Sequence, residues 1–462
     1  FFDVENLSVS YAYSDITTSN VNTETYLQKS VSGGVAYNYS PNPLIIEPFA
    51  KSEGFKSPYL KLIKDANLSL SPSSIAVRAD LARSFRMTRY YDENLVAGDE
   101  FYERLFTFNR NYAFKWNIFK ALSIDYSARA NAVIDEIEDE NGPTSDNPIE
   151  GDLDTQEEMQ YIWGQIKDLG RMKNFTQDIS ATYKLPFDKL PLTDWLSGDV
   201  RYSVGYNWLA GSLGQNDDSG DFFGHTIDNR RDRGLTGKID MVKLYNKVTF
   251  LKDINQPTRK RSKDDEEKQG PDLGKTFLRM MMSLRSINVT YNIRETTSLA
   301  GFTQTPFLLG MDSSWSAPGW GFILGEQDPD IRNRAAANGW ITKSQSLTTP
   351  FVQSYTNDLS VRANIEPMAD FKIQLDAQRT NNATFQTLFR YDTTSTNPGF
   401  NSLTPSRSGS YNMSFIAIKT AFDKKGNNNS SEAFDDFASY IDVIQRRQNA
   451  TVNTAEGFYD TL

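Results

Sequence analysis

Arg83 and Arg110 each interrupt a row of apolar side chains. Arg83 stands among Ile75, Val77, Ala79, Leu81, Phe85 and Met87, and Arg110 among Phe106, Phe108, Tyr112, Phe114, Trp116 and Ile118. A guanidinium grips phosphate through two parallel N–H donors. If the hairpin through Tyr90 to Arg104 is symmetrical, the two arginines are cross-strand neighbours, and like charges so placed repel unless an anion lies between them. The chemistry this predicts is a clamp on lipopolysaccharide phosphate. The plainer expectation is snorkelling to headgroup water, or cover by a partner protein.

Other chemistry-bearing groups point to no catalysis. Gly270 to Thr276 (GPDLGKT) has three residues between its glycines where a phosphate loop needs four. His225 is the single histidine, and cysteine is absent. Multi-histidine and thiolate metal sites are therefore out of reach, no G-x-S-x-G elbow occurs, and the lone histidine reads as surface. Asn216 to Asp221 (NDDSGD) lacks the glutamate-terminated spacing of a calcium loop and reads as a solvated turn. No enzyme activity and no cofactor are expected. The most apolar loop, Trp315 to Gly325 (WSAPGWGFILG), carries Trp315, Trp320 and Phe322. It is placed to cap a lumen, to dock a partner barrel, or to fold back onto its own sheet.

The elements that must carry these residues are strands. Successive side chains of an extended chain turn to opposite faces. Phe108, Tyr112, Phe114, Trp116 and Ile118 therefore share one wall, and Asn109, Asn111, Lys115 and Asn117 share the other. A tight hairpin near Lys120 sets Ile118 opposite Leu122 and Trp116 opposite Ile124, so Ile124 and Tyr126 continue the apolar wall. In the preceding strand Arg78, Asp80, Ser84 and Arg86 continue the polar one. The apolar residues are lipid-facing candidates. The polar ones are lumen-facing candidates, wet in a channel and costly in lipid.

Bulk properties agree with such a wall. The chain has 462 residues, 38% hydrophobic content and a net charge of −10, and its mean hydropathy is −0.54. A barrel strand exposes an apolar residue to lipid only at every second position, which keeps the average low. No apolar run approaches the roughly 18 residues of a helical span. The acidic balance offers no footprint for nucleic acid. The chain opens at Phe1 without a methionine or signal peptide and ends on GFYDTL, which is not a closing strand; a portion of a longer precursor is expected.

Scoring alternation gives about twelve strands: Leu7–Ser14, Leu27–Ser40, Ile75–Arg89, Leu105–Ile118, Leu122–Val133, Phe175–Leu185, Val200–Trp208, Gly234–Lys243, Ile287–Glu295, Leu359–Glu366, Phe371–Arg379 and Gly409–Lys419. Thr384–Tyr391 extends the eleventh. Links at one end are mostly long and polar, and several at the other are short, as extracellular loops and periplasmic turns are. The predicted fold is all-β: an antiparallel transmembrane β-barrel wall over residues 1–422, an arc of a larger barrel. Periplasmic insertions fall near 41–74 and 244–286, the second with the charge run RKRSKDDEEK, and a large extracellular loop near 296–358. A periplasmic helical segment occupies 423–462, where Ser431 caps an amphipathic helix through Phe434, Phe437, Tyr440, Ile441 and Ile444.

Five stretches carry a family resemblance. They are Phe2 to Asp15 (FDVENLSVSYAYSD), Phe108 to Asn131 (FNRNYAFKWNIFKALSIDYSARAN), Asp178 to Trp208 (DISATYKLPFDKLPLTDWLSGDVRYSVGYNW), Ile293 to Asp312 (IRETTSLAGFTQTPFLLGMD) and Pro405 to Phe422 (PSRSGSYNMSFIAIKTAF). These resemble the SprA/Sov family, the outer-membrane translocon of type IX secretion in Bacteroidota. The resemblance implies one portion of a very large barrel in the bacterial outer membrane that carries folded cargo from periplasm to cell surface and serves gliding in gliding species. It also implies as partners a PorV-like outer-membrane barrel, a periplasmic plug protein, secreted cargo proteins, and the lipid bilayer with its lipopolysaccharide. Two alternatives stand beside it: an ordinary porin or nutrient transporter, for which twelve strands would suffice, and a soluble secreted β-rich adhesin with its aromatic rows packed sheet on sheet.

Overall fold

Alternation that extends over most of the chain leaves little room for anything but strands, and the computed structural model is all-β. It describes residues 4–50, 57–91, 97–136, 156–212, 220–255, 273–368, 371–393, 398–414 and 432–452. The chain runs through β1 (Leu7–Thr18), β2 (Thr23–Tyr39), two short strands β3 (Ile45–Ile46) and β4 (Leu68–Ser69), β5 (Ser74–Tyr91), β6 (Ala97–Phe119), β7 (Leu122–Val133), β8 (Arg171–Lys184), β9 (Leu196–Leu209), β10 (His225–Asp240), β11 (Leu284–Phe302), β12 (Phe351–Met368), β13 (Phe371–Asp392) and β14 (Gly399–Met413). All except β3 and β4 form one twelve-stranded antiparallel sheet in simple chain order, with β1 and β14 as its two edges. The sheet is open. Each strand pairs with its neighbour in sequence, so successive links fall alternately at the two ends, here called upper (after β1) and lower.

The register carries one row continuously across ten strands, apolar from β1 to β7 and largely polar beyond. The row runs Leu7, Tyr37, Val77, Tyr112, Ala128, Gln177, Tyr206, Asn229, Thr297 and Gln353 from β1 to β12. It starts at the lower end of β1 and reaches the upper end of β12, so the ladder climbs almost a full strand length across the sheet. Stagger of this kind is what strands tilted to a barrel axis produce.

Several strand starts differ from the sequence expectation. β10 begins nine residues before the expected Gly234, at His225, β12 begins at Phe351 rather than Leu359, and β14 spans Gly399–Met413 rather than Gly409–Lys419. The added segments carry polar side chains on the apolar side, which breaks the alternation. β13 is continuous through Thr384–Tyr391, as expected. At the β6–β7 hairpin Trp116 lies opposite Ile124 as predicted, but a register shift puts Phe119, not Ile118, opposite Leu122. Phe415 to Lys419, the charge run at 259–268 and the cap Ser431 lie outside the described residues.

The links hold the remaining elements. α1 (Lys61–Lys64) lies in the first lower insertion, α2 (Gln156–Lys167) in the upper link after β7, and α3 (Met241–Tyr245), α4 (Thr249–Asn255) and α5 (Leu273–Met281) in the second lower insertion. α6 (Trp320–Ile323) and α7 (Ile331–Ala337) belong to the upper link between β11 and β12, and α8 (Glu432–Val452) follows the sheet. α5 starts at Leu273, but the described element before it is α4 and the last strand before it ends at Asp240, so the strand-to-helix setting of a phosphate loop is missing among the described residues. None of the described helices is long and apolar enough to cross a membrane.

The 303–350 link folds onto the apolar side of the sheet and is termed the crown. With the strands beneath it, it makes the largest core: Phe175, Tyr206, Trp208, Ile227, Leu299 and Phe351 from the sheet meet Met311, Phe322, Ile323, Ile331 and Ile341 from the crown. Asp312 pins the crown's first turn. It accepts from the N–H groups of Ser316 and Ala317 at 2.7 and 2.9 Å and from the Ser314 hydroxyl. Burial opposes the charge, yet these donors outweigh it and hold the Asp312 carboxyl below its ordinary value of 3.8. A carboxyl lowered on folding stabilises fully above that ordinary value and loses its contribution as acid carries the pH through the lowered one. Asp312→Ala is therefore expected to weaken crown docking by about 1–3 kcal/mol at neutral pH and to remove part of the crown's acid sensitivity. Limited proteolysis of the crown against pH measures both.

Candidate lipid-facing belt and polar channel face

The two faces of the sheet differ in kind. On one, β9 presents Val200, Tyr202 and Val204, β11 presents Ile287, Val289, Tyr291 and Ile293, and β12 presents Leu359, Val361 and Ala363, each level with an apolar or small neighbour or an occasional arginine or asparagine. On β1 and β2 the same face carries Val9, Tyr11, Tyr13, Val31 and Val35. From Leu196 to Tyr202, below the crown, this apolar run spans about 20 Å along the strand, at roughly 3.3 Å per residue, and Val204 above it is buried under Gly325. Among the described residues the other sheet, the two-stranded β3–β4, reaches this face at Trp116.

The opposite face is laced with ion pairs. Arg78 pairs with Asp80 at 2.7 Å, Arg86 with Glu103 at 2.6 Å, Lys115 with Asp125 at 3.4 Å and Arg362 with Asp376 at 2.6 Å. Asp232 accepts from both Arg230 and Arg294, at 2.9 and 2.7 Å, and Arg230 also reaches Asp178 at 3.2 Å. Such exposed pairs add little stability in water. They need water around them, and hydrocarbon against this face would cost several kcal/mol per group.

The sequence-derived candidates divide accordingly. Arg78, Asp80, Ser84, Arg86, Asn109, Asn111, Lys115 and Asn117 share the polar face by register. Phe114, Trp116, Ile118 and Ile124 stand half-exposed on the apolar face, with Trp116 Nε1 donating to Ser69 O of the first lower insertion at 3.0 Å. Tyr112 and Tyr126 flank the crown core, and Tyr126 donates to Gln177 Oε1 at 3.4 Å. Phe108 departs from expectation: it is buried with Ala132, Ile134 and Ile162, because α2 folds down over it, so it does not meet lipid.

The arginine clamp is not formed. Arg83 lies opposite Phe106 and Arg110 opposite Ala79, about 13 Å apart along the strands. The strands run on to the Tyr91–Ala97 pair, which moves the hairpin centre and shifts the register by four residues. Arg83 donates through Nε and Nη2 to Glu136 at 2.7 and 3.1 Å, the bidentate geometry envisaged for phosphate. Arg110 is buried, with its guanidinium 5.0 Å from the Phe108 ring centroid and 3.9 Å from Met172 Sδ. Arg83→Ala is accordingly expected to leave lipid retention unchanged by native mass spectrometry.

The apolar loop takes the third of its expected roles and folds back onto its own sheet. Phe322 is buried edge-on against Tyr206, with ring centroids 6.1 Å apart, so it is available neither to cap a lumen nor to dock a partner. Trp315 and Trp320 stack on each other at 5.9 Å and remain exposed, on the apolar side of the sheet rather than over the polar face. His225, read as surface, is half-buried between Trp208 and Phe222 and accepts from the Gly211 N–H at 3.0 Å.

Sequence reading missed the polar layer under the crown. Asn229 Nδ2 donates to Phe322 O and Glu326 O at 3.0 and 2.8 Å, Gln327 Nε2 donates to Asn229 Oδ1 at 2.8 Å, Thr297 donates to Gln327 Oε1 at 2.7 Å, and Gln353 Nε2 donates to Asp328 O at 3.1 Å. Glu295, nearly fully buried, receives Arg231 Nε at 2.7 Å and Arg233 Nη2 at 3.0 Å. These residues sit in rows otherwise apolar, and a polar group in such a row signals cover by protein rather than lipid. No protein-family model matches this chain, and no curated protein matches it.

Proposed function

We propose that this sheet is a segment of the wall of an outer-membrane β-barrel, with the apolar face against lipid and the polar face lining a water-filled passage through which proteins cross. The observation that carries the reading is the segregation of the two faces by register along β1, β2, β9, β11, β12 and the lower parts of β5, β6 and β7. Alternation in a soluble sandwich also segregates faces, but there a second sheet covers the apolar side. Here, among the described residues, α2 and the crown cover the upper rows and the first lower insertion reaches Trp116 at the lower end, with no further sheet laid over the rows between.

The unpaired edges favour an arc of a wide cylinder over a closed twelve-stranded pore, since β1 and β14 share no ladder among the described residues. A wide lumen lined by compensated charges suits passage of a folded protein better than selection of a small solute. Together with the likeness to the SprA/Sov translocons, this makes protein export the best-supported activity, and it carries the expected partners with it: cargo, a periplasmic plug, and a PorV-like barrel.

The test is site-specific photocrosslinking in cells that secrete. A photoreactive residue at Asn111, Asp178 or Thr290 on the polar face is expected to capture secreted cargo, and one at Val200 or Tyr291 on the apolar face to capture lipid. Lipid adducts without any cargo adduct would leave the membrane wall standing and overturn the translocon. Absence of lipid adducts overturns both.

A further inference from the structure

The crown has two unlike halves. From Thr303 to Gly325 the only charged residue is Asp312, which is buried and satisfied, whereas Glu326, Asp328, Asp330, Arg332 and Arg334 follow directly. The uncharged half lies lower on the sheet. Tyr202 donates to Leu324 O at 3.0 Å, and Gly325 and Gly310 rest on Val204 and Tyr206. The later part of the crown is higher: Thr342 N–H donates to Gly301 O at 2.8 Å, near the upper end of β11.

In this half Phe307, Leu308, Leu309, Trp315, Trp320 and Leu324 are all exposed, between 39% and 54% of their surface, and the stacked indoles adjoin Leu324, whose N–H bonds to Trp320 O. Leu309 and Trp315 hold left-handed backbones, with φ of 52° and 58°, a costly conformation for bulky residues. Immediately below, Tyr202, Val200 and Leu235 continue the exposed apolar surface into the belt, without a polar break on β9. Arg233, level with Tyr202, turns its guanidinium upward to Glu295, away from the belt. A cation that reaches upward while aromatic rings stay at the same height is the arrangement of a bilayer boundary.

We propose that the uncharged lower edge of the crown, centred on the stacked Trp315 and Trp320, is a lipid-seated wedge that rests in the boundary between headgroups and acyl chains. The occupant is a bilayer. The patch is continuous with the belt, carries no charge to match a protein partner, and presents indole rings at the belt's upper margin. Indole combines a flat apolar body with one N–H donor and partitions to that zone. The crown thereby anchors the upper strands from outside the barrel and leaves the polar face unobstructed. This inference rests on the membrane-wall reading.

The absence of cysteine permits a clean test. Single cysteines replacing Val200, Leu308, Trp320 or Arg334, each carrying an environment-sensitive fluorophore, are placed in the chain reconstituted in phosphatidylcholine–phosphatidylglycerol liposomes. Leu308→Cys reports the edge without removing an indole. The expected result is strong quenching of the Val200 probe by spin labels deep in the acyl chains. The Leu308 and Trp320 probes should be quenched several-fold more by shallow spin labels than by aqueous iodide, and the Arg334 probe by iodide alone. If the two edge probes follow Arg334 while Val200 stays lipid-quenched, the wedge is overturned and the membrane wall survives. If Val200 also responds only to iodide, the wall itself is wrong. Edge probes shielded from every quencher would mean that protein covers the edge, which also overturns the wedge.

Discussion

Trp208→Ala is expected to release the crown while leaving the sheet intact. Trp208 is fully buried between sheet and crown, donates from Nε1 to Gln304 O at 2.9 Å, and packs 4.5 Å from the His225 ring. Its ladder neighbours are Phe175 and Ile227, both buried in the same core. Truncation removes a large aromatic from a site that rigid strands prevent from collapsing and strands the Gln304 carbonyl. Loss of about 3–5 kcal/mol from crown docking follows. Protease cleavage within 303–350 should appear at concentrations that spare the parent chain, with β-sheet circular dichroism retained. Trp208→Phe should keep most of the protection, since the ring volume is largely restored. An unchanged cleavage profile in Trp208→Ala would show that the crown is held elsewhere.

The second large effect is a charge on the belt. Val289 sits within the apolar run Ile287–Ile293 of β11, between Gly237 and Val361, whereas Thr290 beside it faces the polar side between Thr236 and Ser360. Val289→Arg is expected to cost about 2–4 kcal/mol if the side chain meets the bilayer midplane. Thr290→Arg adds one more cation to a face already dense in compensated charge, and its cost should be close to zero. The pair separates membrane burial from sheet propensity, because both substitutions place the same residue in the same strand one position apart. Urea titration of the liposome-inserted chain measures the difference; equal effects would argue against a lipid belt.

What the sequence disclosed and what it hid have one physical cause. Where each face of a strand keeps one character, its residues alternate; Leu122–Val133 matches its expected bounds because its covered row, Ala128, Ala130 and Ala132, stays apolar under the crown and α2. Where the crown covers the upper rows, the apolar face can bury hydrogen-bonded polar groups. Asn229, Arg231 and Arg233 then break the alternation of β10, and the strand appears to begin only at Gly234. The same holds for Gln353 in β12, which donates to Asp328 O of the crown, while Asn357 breaks the row by donating to the Tyr291 and Tyr355 hydroxyls. Phe108 looked like a belt residue because nothing in its own strand announces that α2, more than 40 residues later, covers it. The arginine clamp failed on register, which a hairpin's loop length sets and strand composition does not. Trp315, Trp320 and Phe322 were legible as an unusual cluster. Which of them turns inward depends on crown packing against Tyr206, a tertiary contact.

The most direct measurement is electron paramagnetic resonance on spin labels placed singly from Ile287 through Ile293 in the liposome-inserted chain. Collisions with oxygen report lipid, and collisions with a water-soluble nickel chelate report an aqueous passage. Odd positions are expected to favour oxygen and even positions nickel, with a period of two across the strand. Odd positions as open to nickel as their even neighbours, or shielded from both reagents, would contradict a wall that separates hydrocarbon from water.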